Sequence, residues 1–318
     1  MKIGQYFMIG LVIYLVLWLV WWARIDNIDR TVISQCLTTK GPINILGIQL
    51  QGTLGLEKQT IYRFAEVGSY MLLLPFLPAN ALARMSEGVM YSLYDASRNQ
   101  KMVEKSLDKL DWEKEFNSRN IKTPKIYAYS EQGRIVILDP LPPANKFIVK
   151  PRKGMLGIGV KALSGPQAMM LLKRQDGLII QERMADCSGL VRHYRVVTQS
   201  DGSIFTIIEM SNNTGAVSNY GAGGKVIICE NGDCIDNVLV KKELDDITQS
   251  LAQMHIDSEY SKAFTLGWDV MIDCRNGIPT AHCLEGNVPN ASWLWPALCP
   301  DDMIDRYKAS FTKHINLA

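Results

Sequence analysis

Apolar and polar positions change period several times along this chain, and each change marks an element. Residues 120–138, NIKTPKIYAYSEQGRIVIL, alternate as strand, turn, strand. Leu141-Pro142-Pro143 breaks the chain before the strand FIVKP. SGPQAMMLLKRQD, 164–176, reads as a helix with Ser164 as N-cap and Pro166 in its first turn. GLIIQERM reads as a buried strand, and RHYRVVTQSDGSIFTIIEM as a hairpin turning at Asp201-Gly202. A glycine-rich stretch, NNTGAVSNYGAGGK, leads into the strand VIIC and the turn ENGD. Residues 241–263 carry a helical pattern with a polar face, and TLGWDVMIDCRNGIPTAHCLEGN is a second hairpin, turning at Asn276-Gly277. The stretch 61–120 reads as helical, charge-rich over 98–120, whereas 24–60 shows no clear period.

The first segment differs in kind. IGQYFMIGLVIYLVLWLVWWA, residues 3–23, carries no charge. A helix of about twenty residues spans about 30 Å, the thickness of a hydrocarbon core. Trp18, Trp21 and Trp22 crowd one end, and Arg24 follows. The run is longer than the apolar core of a signal peptide, so it predicts a retained anchor over 1–24. Lys2 and Arg24 flank it evenly and do not orient it.

Composition adds limits. At 318 residues, 47% hydrophobic and 21% charged, the chain is that of a globular protein with one large or two ordinary domains. A net charge of +2 and the lack of a basic arm argue against nucleic acid as partner. Seven scattered cysteines do not form a disulfide framework. Cys229 and Cys234 lack the second pair a zinc site needs, and the cysteines read as free thiols in a reducing compartment.

Three clusters carry chemistry. Lys150 ends an apolar run and is followed by Gly154, Gly157 and Gly159. A strand-end lysine often only reaches for water. Glycines nine residues or fewer beyond it also let a hairpin loop offer N–H groups to an anion. Arg195 lies mid-strand among apolar neighbours and needs an anionic partner, either phosphate or a structural carboxylate. His193 shares its parity and reads as a surface histidine. Asp269, Glu285 and Asn287 sit in the outer parts of the last hairpin. A three-residue turn at Gly277 sets Asp269 opposite Glu285, whereas a two-residue turn puts them on opposite faces. Oxygen donors converging there suit Mg²⁺.

In this order these pieces resemble the ATP-grasp superfamily, in particular its sugar-transfer-associated branch. The resemblance covers about 105–290 and rests on DK at 108–109, IKTPKI, FIVKP with GMLGIG, LIIQERM, HYRVVT, NYGAGGK, and LGWDV followed by LEGNVPN. It implies an α+β fold, two α+β lobes clasping ATP, over 105–318. The glycine-rich lobe would cover about 145–180 and the C-terminal lobe about 181–318, preceded by an unassigned, mostly helical region 25–104. By resemblance Lys150 and the loop carrying Gly154, Gly157 and Gly159 would contact phosphates, and Gln181 and Glu182 would meet adenine and ribose. Arg195 would meet the transferring phosphoryl group, and Asp269, Glu285 and Asn287 would hold Mg²⁺. Asn219, Gly223, Gly224, Lys225 and Asn290 would lie at the substrate. The chain departs from the family in the VP before Asn290 and in its first hundred residues.

The implied activity is Mg-ATP-dependent activation of a small-molecule carboxylate for attack by an amine, in a branch linked to polysaccharide-associated polymer synthesis. Alternatives are a kinase acting on a hydroxyl and a membrane-tethered protein that binds nucleotide without turnover. ATP and free thiols both point to a cytosolic catalytic domain on a single-pass anchor.

Overall fold

Two antiparallel sheets of five strands each organise residues Asn99–Asn290, which form one compact unit; residues 1–98 and 291–318 belong to another. In this computed structural model the described residues are 99–143, 146–154, 159–184, 186, 191–212, 225–229 and 234–288, with Val12, Ile13, Val16 and residues 306–307 and 309–314. Apart from Val12, Ile13 and Val16, the expected anchor lies outside them, as do most of region 25–104, Gly157, Asn219, Gly223, Gly224 and Asn290, and Lys225 is described by its backbone alone. No helix among the described residues is long and apolar enough to cross a membrane.

The unit opens with α1 (Gln100–Ser106) and α2 (Lys109–Ser118). The first sheet has the order β2-β1-β5-β3-β4, from β1 (Ile126–Glu131), β2 (Arg134–Ile137), β3 (Lys146–Pro151), β4 (Lys161–Ser164) and β5 (Leu178–Glu182). Helix α3 (Gly165–Arg174) connects β4 to β5 and covers one face, Ala168 and Leu172 packing on Phe147, Val149, Leu178 and Ile180. Its start follows from the expected signals: Gln167 Oε1 accepts from the Ser164 N–H at 3.1 Å, and Pro166 sits in the first turn.

The second sheet runs β10-β9-β6-β7-β8. Its strands are β6 (Val191–Gln199), β7 (Ile204–Asn212), β8 (Lys225–Cys229), β9 (Thr265–Asp273) and β10 (Thr280–Asn287). The turn between β6 and β7 holds Gly202 at φ +80°, as the Asp-Gly pair requires. Helix α4 (Val238–Ile256) lays Leu244, Ile247 and Leu251 on Tyr194, Val196, Trp268, Val270 and Ile272. It ends earlier than its hydrophobic pattern suggests. A short 3-10 turn, Glu259–Lys262, carries the pattern on after a break capped by Ser258.

A buried polar chain fixes this half. The Trp268 indole N–H donates to Thr198 Oγ1 at 2.9 Å. The Thr198 hydroxyl meets His255 Nδ1 at 2.8 Å, and His255 Nε2 meets the Ala263 carbonyl at 3.0 Å. The Ala263 carbonyl can only accept, so a neutral His255 carries its proton on Nε2 and the Thr198 hydroxyl donates to Nδ1.

Helix α2 joins the two sheets. Leu110 packs with Ile126 and Ile179 of the first, and Trp112 and Phe116 join the core of the second. The sequence reading of the cysteines is corrected here. Cys229 and Cys234 form a disulfide, with Cα atoms 5.1 Å apart. Cys274 is also disulfide-bonded, whereas Cys283 is a free, buried thiol that burial pushes up. Thiols therefore give no support to a reducing compartment.

Candidate functional site

The first sheet contributes Lys150. In the β3–β5 ladder Lys150 pairs with Ile179 and Ile148 with Gln181. These residues share the face opposite α3, because directly opposed residues point the same way and strand side chains alternate. Lys150 is 6% exposed. Burial, helped by the charge of Lys109, lowers its ammonium to about 8, while Glu285 and Asp269 pull the other way. A lysine on one sheet thus feels two carboxylates on the other.

Those carboxylates stand in register. Arg195, Asp269 and Glu285 are Cα partners across β6, β9 and β10. The loop between β9 and β10 runs over 274–279, longer than either expected turn, and a regular ladder would pair Asp269 with Leu284. A bulge between Cys283 and Glu285 adds one residue and returns Glu285 and Asn287 to the face of Asp269. Arg195 Nε donates to Asp269 Oδ1 at 2.6 Å and Nη2 to Oδ2 at 3.2 Å, so the anionic partner of this half-buried arginine is a carboxylate of the protein. Asn287 Nδ2 donates to Asp269 Oδ2 and to the Gly267 carbonyl, each at 3.2 Å. Burial opposes ionisation of Asp269, but the charge and hydrogen bonds of Arg195 outweigh it and hold the carboxyl below its ordinary value.

Two residues not assigned from sequence complete the cluster. Lys109, 6% exposed at the start of α2, lies 3.2 Å from Glu285 Oε2 and donates to the Gly154 carbonyl at 2.7 Å. Its only signal was the DK pair among the family-like motifs, within the charge-rich helical stretch 98–120. His193 is on the site face, Nε2 lying 3.9 Å from Asp269 Oδ1, and burial lowers its pKa despite that carboxylate.

The glycines divide. Gly159 has φ +76°, a conformation strained for any side chain, and a Cβ there would also crowd Pro151, 3.2 Å from Cγ and 3.3 Å from Cδ. A Cβ on Gly154 would meet Pro151 at 3.4 Å, ordinary contact. Gln181 shares the face of Lys150, and its Nε2 donates to the Pro124 carbonyl at 3.2 Å. Glu182 is not brought to that face. It follows the parity of Phe147, its partner, and its carboxylate is bound by Arg275 at 2.7 Å.

Asp269, Glu285 and Asn287 fit a hard divalent ion by donor chemistry: two carboxylates opposed on adjacent strands, with an amide beside them. The protein's own cations, Arg195 and Lys109, neutralise the two acids here. The arrangement concentrates positive charge from three elements around two acids, suited to an anion that brings its own cation.

No family model matches this chain, and no curated protein matches it. Solved structures similar to it include an L-amino acid ligase from Bacillus licheniformis, with 13% identity and a TM-score of 0.42, over 74% of this chain and 48% of that one. A D-alanine–D-alanine ligase from Bacillus anthracis complexed with ATP gives 16% and 0.42, over 71% and 66%. D-cycloserine synthetase DcsG gives 14% and 0.45, over 74% and 80%. The chain thus spans about half the length of the first ligase, and a likeness at these TM-scores by itself assigns nothing to it.

Proposed function

We propose that this protein is an ATP-grasp enzyme that uses Mg-ATP to activate a small-molecule carboxylate for attack by an amine. One observation carries the reading: Lys150 of the first sheet faces Asp269 and Glu285 of the second, with Arg195 and Lys109 beside them. Asp269, Glu285 and Asn287 would hold Mg²⁺, which supplies neutralisation of phosphoryl charge. In the first step the carboxylate oxygen bonds to the γ-phosphorus as the bond to the bridging oxygen breaks and ADP leaves. The amine then bonds to the acyl carbon, the bond to phosphate breaks, and the amine loses a proton. Lys150 and Arg195 stabilise charge on the transferring group, and Asp269 holds Arg195 in place beforehand. The loop over 154–159 and Gln181 serve the nucleotide in this reading. Asn219, Gly223, Gly224, Lys225 and Asn290 serve the acceptor on sequence grounds alone.

The experiment is ATP turnover with Lys150→Ala and Glu285→Ala. Each lowers ADP release by about a hundredfold or more while far-UV circular dichroism stays that of the parent. Turnover at the parent rate in both variants refutes the reading. Hydroxylamine separates the rivals: only an acyl phosphate yields a hydroxamate, and ADP release without one indicates a kinase. We also propose, from residues 3–23, that the enzyme is tethered to a membrane with residues 24–318 in the cytosol, where ATP is supplied, and that it serves the making of surface polymers.

A further inference from the structure

A second network, outside the facing charges, holds the base of the glycine-rich loop. Asp108 is the N-cap of α2, its Oδ1 accepting from the Leu110 N–H at 3.1 Å. The same carboxylate, 4% exposed, is forked by Arg152: Nε lies 2.9 Å from both oxygens and Nη2 2.8 Å from Oδ2. Arg152 Nη1 reaches Glu131 Oε1 at 2.6 Å, at the end of β1. The backbones are joined as well. Asp108 and Lys153 form an antiparallel bridge, and the Lys109 N–H donates to the Arg152 carbonyl at 3.2 Å. The Arg152 N–H donates to the Gly177 carbonyl at 2.8 Å. The chain leaving Lys150 is therefore held by α2, by the end of β1 and by the start of β5, immediately before Gly154.

Capping alone does not call for this residue. Asn or Ser caps a helix as well as Asp does. A forked guanidinium calls for a carboxylate, with two coplanar oxygens and a full charge. We infer that Asp108 and Arg152 are a positioning pair: by locking the start of α2 to residues 152–154, they set Lys109 between the Gly154 carbonyl and the Glu285 carboxylate, and so shape the cradle for a polyphosphate. This rests on the nucleotide reading above. The pair does not enter the cluster itself; it acts through Lys109 and the loop base. Burial works against ionising Asp108, yet the Arg152 hydrogen bonds hold its carboxyl below the ordinary value, in keeping with a permanently charged fork.

The test uses the full chain and the variants Asp108→Asn, Arg152→Gln and their double. Asp108→Asn keeps an N-cap and loses the charged fork, so it separates capping from positioning. Each single variant should raise KM for Mg-ATP about tenfold, with kcat at saturating ATP within about twofold. The double should be no worse than the poorer single, the mark of residues acting as one unit. Hydrogen exchange at the amides of residues 152–154 should quicken in each, without nucleotide present. Arg152→Lys, which keeps the charge without the fork, should recover only part of the loss. A KM unchanged in Asp108→Asn, with exchange quickened, overturns the positioning role while leaving the nucleotide reading intact. Unchanged exchange overturns the tie itself. A parent protein that binds no Mg-ATP in the same titration overturns the nucleotide reading and, with it, the role assigned to the pair.

Discussion

Lys150 loses its proton well below the range of an ordinary lysine. Its folded value of about 8 lies below the ordinary 10.5 because burial penalises the charged form. Between those values the unfolded chain holds a proton the folded protein has lost, so this group's contribution to stability rises with pH across that window. Below about pH 8 the buried charge costs about 3 kcal/mol. Phosphate binding needs the charged form. The profile of kcat/KM for ATP should therefore fall on the alkaline side with an apparent pKa near 8, since that ratio reports the free enzyme. Lys150→Arg, charged at every accessible pH, should lose that limb even if its rate is lower. A parent profile flat through pH 9.5 sinks the assignment.

At the scale of elements, β10 explains why a glycine separates two of the candidate ligands. A Cβ on Gly286 would lie 2.7 Å from Trp112 Cη2 and Cζ2 and 2.9 Å from Trp268 Cζ3. Neither ring can yield freely. Trp268 is pinned through Thr198 and His255, and the Trp112 indole donates to the Ser106 carbonyl at 2.7 Å. The strand must move instead, carrying Glu285 and Asn287 with it. Gly286→Ala should cost about 1–3 kcal/mol by overpacking. It should also weaken the stabilisation that Mg-ATP gives to thermal unfolding, as read in melts with and without ligand. An unchanged ligand-induced shift in this variant would show that the ring contacts do not place the ligands.

For the whole molecule, the compact unit 99–290 carries every charged group of the cluster, and no described helix can cross a membrane. The tether proposed above rests on the uncharged run of residues 3–23. Deleting residues 1–24 should move the protein from the carbonate-resistant membrane fraction to the supernatant, with ATP turnover retained; a full-length chain already in the supernatant excludes the tether. Much of the candidate site was legible beforehand. Lys150, Arg195, Asp269, Glu285 and Asn287 were singled out by strand parity and family-like motifs, and the structure gathers all five. Glu182 was not separable from Gln181 in a short buried run, and alternation places it on the other face. Lys109 was hidden in a polar stretch because its burial depends on contacts with residues 154 and 285.

Sequence alone determined the hairpins, the capped helix α3 and which residue types could meet an anion. These follow from turn chemistry and period, which act over a few neighbours. Tertiary structure decided the pairing of Asp269 with Glu285, since the long 274–279 loop and the bulge after Cys283 together set a register that neither fixes alone. It also decided that Arg195 takes a carboxylate and that Asp108 holds Arg152. Those outcomes depend on which distant segments arrive side by side, and burial and charge pairing between them leave no local trace in the chain.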